Sequence, residues 1–298
     1  MKGKRCFIKK VNLWPKSKRE LLGFLFMISC FLVIFFLVFF CFFLKLKENI
    51  GWYTNQTLIG HAFYGIDENT YTNSYEALEA GYQKGIRVME VDLAFTSDQE
   101  LVLVHDWYEN TVFQERVTYQ RFMASKIYDK YTPMDLAMLF SAMKKYSDLY
   151  IVVDSKEEFW SDYQLVSVYE KLVSECQKVD ASLLDRFIVQ LYDFDDYQSI
   201  QDVYPFSSYI FSLYQMPSVP VKRVVYYCLW YQIDTIAIPL DYVNYGLVTK
   251  EDIIFMKGKN LKVFIYTVNE QDIYDEYMKL GIDGVYTDYL STVNDLIS

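Results

Sequence analysis

His61, Glu90, Asp92, His105 and Asp154 each lie along, or at the end of, a short apolar run that reads as a β-strand. Three carboxylates can hold one divalent cation, and two imidazoles can pass a proton in each direction. Cleavage of a phosphodiester calls for this combination. The chain has only two histidines in 298 residues, so any imidazole chemistry belongs to His61 and His105. In Val88–Leu93 the carboxylates of Glu90 and Asp92 are two residues apart and share one face of a strand, while Met89, Val91 and Leu93 take the other. Two like charges about 7 Å apart repel unless a cation relieves them, and hard oxygen ligands suit Mg²⁺ or Ca²⁺ rather than zinc. The same alternation also describes a solvent-facing edge strand. Further on, Asp154 and Lys156 share a face of the run from Tyr150. They offer a third ligand and an ammonium for a phosphate oxygen, or a plain surface ion pair. A histidine that closes an apolar strand is commonly a core or loop residue; two of them meeting carboxylates at one rim fit an acid and a base.

Strands must position these groups. Short β-branched or aromatic runs recur at 57–61, 86–94, 101–105, 150–154, 187–191, 209–213, 235–238, 262–268 and 284–287, with helix-length stretches between most of them, such as 73–84, 132–145 and 163–178. Strand alternating with helix implies parallel pairing with crossovers, and eight such units close a barrel of roughly 250 residues. The expected fold is an irregular TIM (β/α)8 barrel. Nine runs exceed eight strands by one, and the link Thr96–Glu100 is too short for a parallel crossover, so 86–94 and 101–105 are expected to form a hairpin or otherwise to break the regular pattern. In such barrels functional groups gather at the C-terminal ends of the strands, where His61, His105 and Asp154 fall.

The N-terminus is a separate element. Residues 21–44 contain no charge and are rich in Phe, Leu, Ile and Val. As a helix they would span about 36 Å, enough to cross a hydrocarbon core of about 30 Å. No small-residue cleavage site follows, so an uncleaved anchor is expected. Eight Lys and Arg precede the run and two follow it closely, which predicts a cytoplasmic basic segment 1–20, a transmembrane anchor 21–46 and an extracytoplasmic domain 47–298. From residue 48 onward it retains 19 basic against 38 acidic residues, a net charge of about −19. Such a field disfavours nucleic acid as a partner and requires a cation to meet any phosphate substrate. Of five cysteines only Cys176 and Cys228 fall in this domain, compatible with one bridge and with no zinc spacing. The 28 Tyr and 22 Phe are spread through helices and strands alike and read as core and rim packing.

From about Leu58 to Tyr289 the chain resembles the glycerophosphodiester phosphodiesterase family, a branch of the phospholipase-C-like barrels. Gly60-His61 matches that family's opening His motif, Glu90-Val91-Asp92 its Glu-x-Asp strand, and His105-Asp106 its His-Asp pair. Thr132-Pro133, Asp154-Ser155-Lys156, Ile188-Val189-Gln190, Tyr266-Thr267-Val268-Asn269 and Gly281–Asp288 follow in the family's order. The resemblance implies His61 and His105 as general acid and base, and Glu90, Asp92 and Asp154 as ligands of Mg²⁺ or Ca²⁺. It also implies Lys156 as a phosphate contact and Asn73, Gln190 and Tyr266 as substrate-binding residues. Two positions depart from the family. Ala62 stands where an Arg usually clamps phosphate, and the family's Glu-Asn-Thr falls on Thr72-Asn73-Ser74, with Glu68 as a displaced candidate for its Glu. The implied function is metal-dependent hydrolysis of a glycerophosphodiester, a lysophospholipid or an envelope glycerophosphate polymer outside the membrane. The alternative is a degenerate barrel that binds a phosphorylated envelope ligand without cleaving it.

Overall fold

The computed structural model describes residues 17–43, 51–107, 113–155 and 162–292. The chain divides into two compact units, Met1–Leu44 and Lys45–Ser298. In the first, helix α1 runs from Lys18 to Phe43. Ser17 caps its start, its Oγ accepting from Glu20 N at 3.2 Å. Apolar side chains point outward all round this helix, among them Phe26 and Phe31, each about 70% exposed. Its 26 residues are long and apolar enough to cross a bilayer, by length and composition.

The described residues of the second unit form ten strands: β1 (Leu58–Gly60), β2 (Val88–Phe95), β3 (Leu101–Leu103), β4 (Met134–Asp135), β5 (Tyr150–Ser155), β6 (Phe187–Leu191), β7 (Tyr209–Ser212), β8 (Thr235–Pro239), β9 (Lys262–Tyr266) and β10 (Gly284–Thr287). Eight of them form a closed parallel ring in the order β1, β2, β5, β6, β7, β8, β9, β10, with β10 pairing back on β1. Helices connect consecutive ring strands, which makes this a TIM-type barrel. The expected irregularity is present. β3 returns antiparallel along β2, pairing Leu103 with Leu93, and β4 adds antiparallel to β3. The two-residue β4 is too short to leave a sequence pattern.

Period-2 alternation sorts the barrel interior into layers. One apolar layer takes a residue from every ring strand: Ile59, Val88, Val152, Ile188, Ile210, Ala237, Phe264 and Tyr286. Trp52 and Tyr53 close it from below, the indole 5.5 Å from the Phe264 ring. Two residues further along the same strands, on the same inward face, come His61, Glu90, Asp154, Gln190, Ser212, Pro239, Tyr266 and Asp288. The apolar layer floors this second, polar one. Cys176 and Cys228 are each buried as free thiols, so no bridge joins them; burial raises the Cys176 thiol to about 11.

Candidate active site

Strand pairing brings the acidic residues together. In the parallel register of β2 on β5, Asp92 pairs with Asp154 and Glu90 with Val152, so both carboxylates of β2 flank the end of β5. Carboxylate oxygens of Glu90, Asp92 and Asp154 all lie within 4.8 Å of one another, and the three residues are no more than 3% exposed. Each is held from outside the cluster. Glu90 Oε2 accepts from Ala62 N at 2.7 Å. Asp92 Oδ2 accepts from Asn73 Nδ2 at 2.7 Å, and the Asn73 carbonyl accepts from Asp92 N at 3.0 Å. Asp154 accepts from the Tyr192 hydroxyl, whose pKa is driven well above the ordinary tyrosine value by burial and by the Asp154 charge. Tyr286, also buried and facing Glu90 and Asp154, is raised in the same way. Both phenols therefore stay neutral donors. Three buried, preoriented carboxylates form an all-oxygen donor set that fits a hard divalent cation.

His61 follows β1 at a sharp turn. Gly60 permits it, since a Cβ there would collide with the Phe63 carbonyl oxygen. Ala62 and Phe63 then take left-handed backbone conformations, with φ of 45° and 70°. His61 Nδ1 lies 3.1 Å from Asp288 Oδ1. An ionised carboxylate only accepts, so Nδ1 carries the proton and Nε2 is left as the acceptor. Asp288 is fixed in turn: Asn269 Nδ2 donates to its Oδ2 at 2.8 Å, and Asn269 Oδ1 accepts from Asp288 N at 2.7 Å. The two late motifs ending in Asn269 and Asp288 thus orient one imidazole. Their spelling was legible in the sequence, but their role was not.

His105 stands beyond the end of β3, and its Nδ1 is buried without a hydrogen-bond partner among the described residues. A residue that sequence reasoning passed over connects the two histidines. The Tyr71 ring lies 4.8 Å from His61, edge-on at 81°, and 4.5 Å from His105, tilted at 47°. Nothing in the sequence sets it apart from 27 other tyrosines.

The remaining expected residues are distributed as follows. Gln190 is buried in the polar layer, accepting from the Tyr286 hydroxyl at 2.8 Å and donating to the Tyr192 hydroxyl at 2.6 Å. The Tyr266 and Ser212 hydroxyls are 2.6 Å apart. Asn73 is fully buried, with both ends of its amide on Asp92. Glu68 is exposed and stands apart from the acidic cluster. Lys156 lies outside the described residues. Thr132, of the Thr-Pro pair, donates to Glu76 through its backbone N at 2.7 Å and its Oγ1 at 2.8 Å.

Residues 65–292 match the model of the glycerophosphoryl diester phosphodiesterase family. The chain belongs to that family. It is accordingly a phosphoric diester hydrolase by descent. No curated protein sequence matches it. Among solved structures, a glycerophosphodiester phosphodiesterase from Parabacteroides distasonis superposes with a TM-score of 0.64 at 16% identity, over 78% of this chain and 93% of that one. Another from Thermotoga maritima gives 0.58 at 18% identity, over 78% and 95%. A phosphodiesterase from Oleispira antarctica, solved with the product sn-glycerol-3-phosphate, gives 0.60 at 16% identity, over 78% and 93%. At these identities the likeness establishes the shared barrel.

Proposed function

We propose that this chain hydrolyses a glycerol phosphodiester with the help of a divalent cation, Mg²⁺ or Ca²⁺, held by Glu90, Asp92 and Asp154. The observation that carries the reading is the meeting of those three buried carboxylates within 4.8 Å at the polar layer of a barrel of this family. Bound there, the cation supplies Lewis-acid stabilisation of the charge that builds up on phosphate oxygens. The chain supplies the rest. Ala62 N, Asn73 and Tyr192 hold the carboxylates in place. Asp288 fixes the tautomer of His61 and steadies the imidazolium once Nε2 has taken a proton. One of His61 and His105 deprotonates water or a neighbouring substrate hydroxyl, and the other protonates the leaving alkoxide. Gln190, Tyr266 and Lys156 are assigned to substrate.

The substrate proposed is a glycerophosphodiester, a lysophospholipid or a glycerophosphate polymer, in keeping with the glycerol phosphate bound by the Oleispira relative. We assign residues 1–20 to the cytoplasm, 21–46 to a transmembrane anchor and 47–298 to the catalytic domain outside the membrane, on the length of α1 and the basic flank before it. Full-length protein in detergent, stripped with chelator and resupplied with Mg²⁺ or Ca²⁺, should release glycerol 3-phosphate from a panel of these diesters. A panel left intact by protein that still binds the cation at the acidic cluster would turn the reading toward a ligand-binding barrel. Phosphorus NMR of the products separates open from cyclic phosphates.

A further inference from the structure

The segment 71–74 touches both histidines and one of the three clustered carboxylates, Asp92. Asn73 is locked onto Asp92 by two hydrogen bonds, and Ser74 caps the following helix, its Oγ accepting from Ala77 N at 3.2 Å. Thr72 Oγ1 lies 3.0 Å from Ser74 Oγ. Anchored in this way, the backbone takes φ of 58° at Tyr71 and 47° at Asn73. A left-handed conformation is uncommon for a bulky aromatic residue and persists where its surroundings impose it. Its consequence is to aim the Tyr71 ring at both imidazoles, 4.8 Å from one and 4.5 Å from the other.

His61 has a second constraint, from Asp288, whereas His105 Nδ1 has no polar partner among the described residues. The phenol ring is a contact that both imidazoles share. We propose that Tyr71 is a positioning residue for the whole acid–base pair: its ring sets the separation and tilt of His61 and His105, and Asn73 couples that setting to Asp92. A shared wall of this kind suits a reaction in which one imidazole must address the incoming oxygen and the other the leaving oxygen of the same phosphate. The inference rests on the hydrolytic reading above.

The test exploits the two histidines. In full-length protein with ¹³C-labelled histidine, both imidazole signals should show nuclear Overhauser contacts to the Tyr71 ring and should shift together in Tyr71→Leu, which removes the ring current but keeps apolar bulk. In the same variant kcat should fall by about a hundredfold, the cost of misplacing catalytic groups by about an ångström. KM should change far less, and Tyr71→Phe should recover most of the loss. The proposal is overturned if either imidazole lacks contact to Tyr71 in the unmodified protein, which requires no variant to fold. It is equally overturned if Tyr71→Leu leaves kcat intact, or if Tyr71→Phe is as damaging as Tyr71→Leu. An unmodified protein that cleaves no diester yet shows both ring contacts refutes the hydrolytic reading and leaves the positioning of the rings established.

Discussion

Two layers of one barrel, built by the same eight strands and separated by two residues, have opposite compositions. The lower holds Ile59, Val88, Val152, Ile188, Ile210, Ala237, Phe264 and Tyr286, all nearly inaccessible. The upper holds His61, Glu90, Asp154, Gln190 and Asp288. Burial of the lower layer favours folding on its own account, through removal of apolar surface from water. The upper layer gathers like charges in a poorly solvated space, which opposes folding unless hydrogen bonds and a cation compensate. Stability and chemistry are thus separable along one strand. A step of two residues crosses from one to the other.

Substitutions in the apolar layer and in the acidic site above it, where Asp92 stands two residues beyond Glu90, should therefore fail in different ways. The largest effect is expected for Asp92→Asn. Loss of a cation ligand should lower kcat/KM by about a thousandfold, and titration calorimetry should register weaker Mg²⁺ or Ca²⁺ binding. The melting temperature of the metal-free protein should not fall, because one charge of a repelling set has gone. A clear drop would mean that the carboxylate cluster also supports the fold. In the lower layer, Phe264→Ala should cost about 3–5 kcal/mol in urea unfolding, while kcat of the folded fraction stays near that of the unmodified protein. Parallel loss of kcat would erase the distinction between the layers.

A smaller effect is expected for Asp288→Asn. His61 would lose the acceptor that fixes its tautomer, and kcat should fall by about a hundredfold with cation affinity unchanged. Weakened cation binding would instead tie Asp288 to the acidic cluster. The smallest effect lies outside both layers. Burial would raise the Glu76 carboxyl, but hydrogen bonds from Thr132 N and Oγ1 outweigh it and hold the group below its ordinary value of 4.5. A depressed folded-state pKa stabilises the protein above the unfolded value, and that stabilisation is lost as pH falls through the folded value. The difference in unfolding midpoint between the unmodified protein and Glu76→Gln should thus be full near neutrality and vanish as pH falls through the depressed folded-state value. A difference that does not change with pH would rule out the ionised carboxylate as its source.

How much of this was legible beforehand follows from the range of each interaction. Alternation at period 2 is local, and it placed Glu90 and Asp92 on one face. Strand and helix runs in turn implied the barrel, and the five-residue link at Thr96 implied the hairpin of β2 and β3 that the structure contains. Local too is the absence of charge from 21 to 44, realised as α1. Motifs spelled out in order marked His61, His105 and Asp154. Three things were not local. Asp288 reaches His61 across 227 residues because ring closure sets β10 beside β1. Asn73 turns inward onto Asp92 through a left-handed backbone that no propensity announces. Tyr71 becomes the neighbour of both histidines only when the loops following β1 and β3 converge on one rim. The residue types and their spacing determined what chemistry was possible. Closure of the ring decided which groups meet, because distances between side chains far apart in sequence are set by packing and strand register, which a linear pattern does not encode.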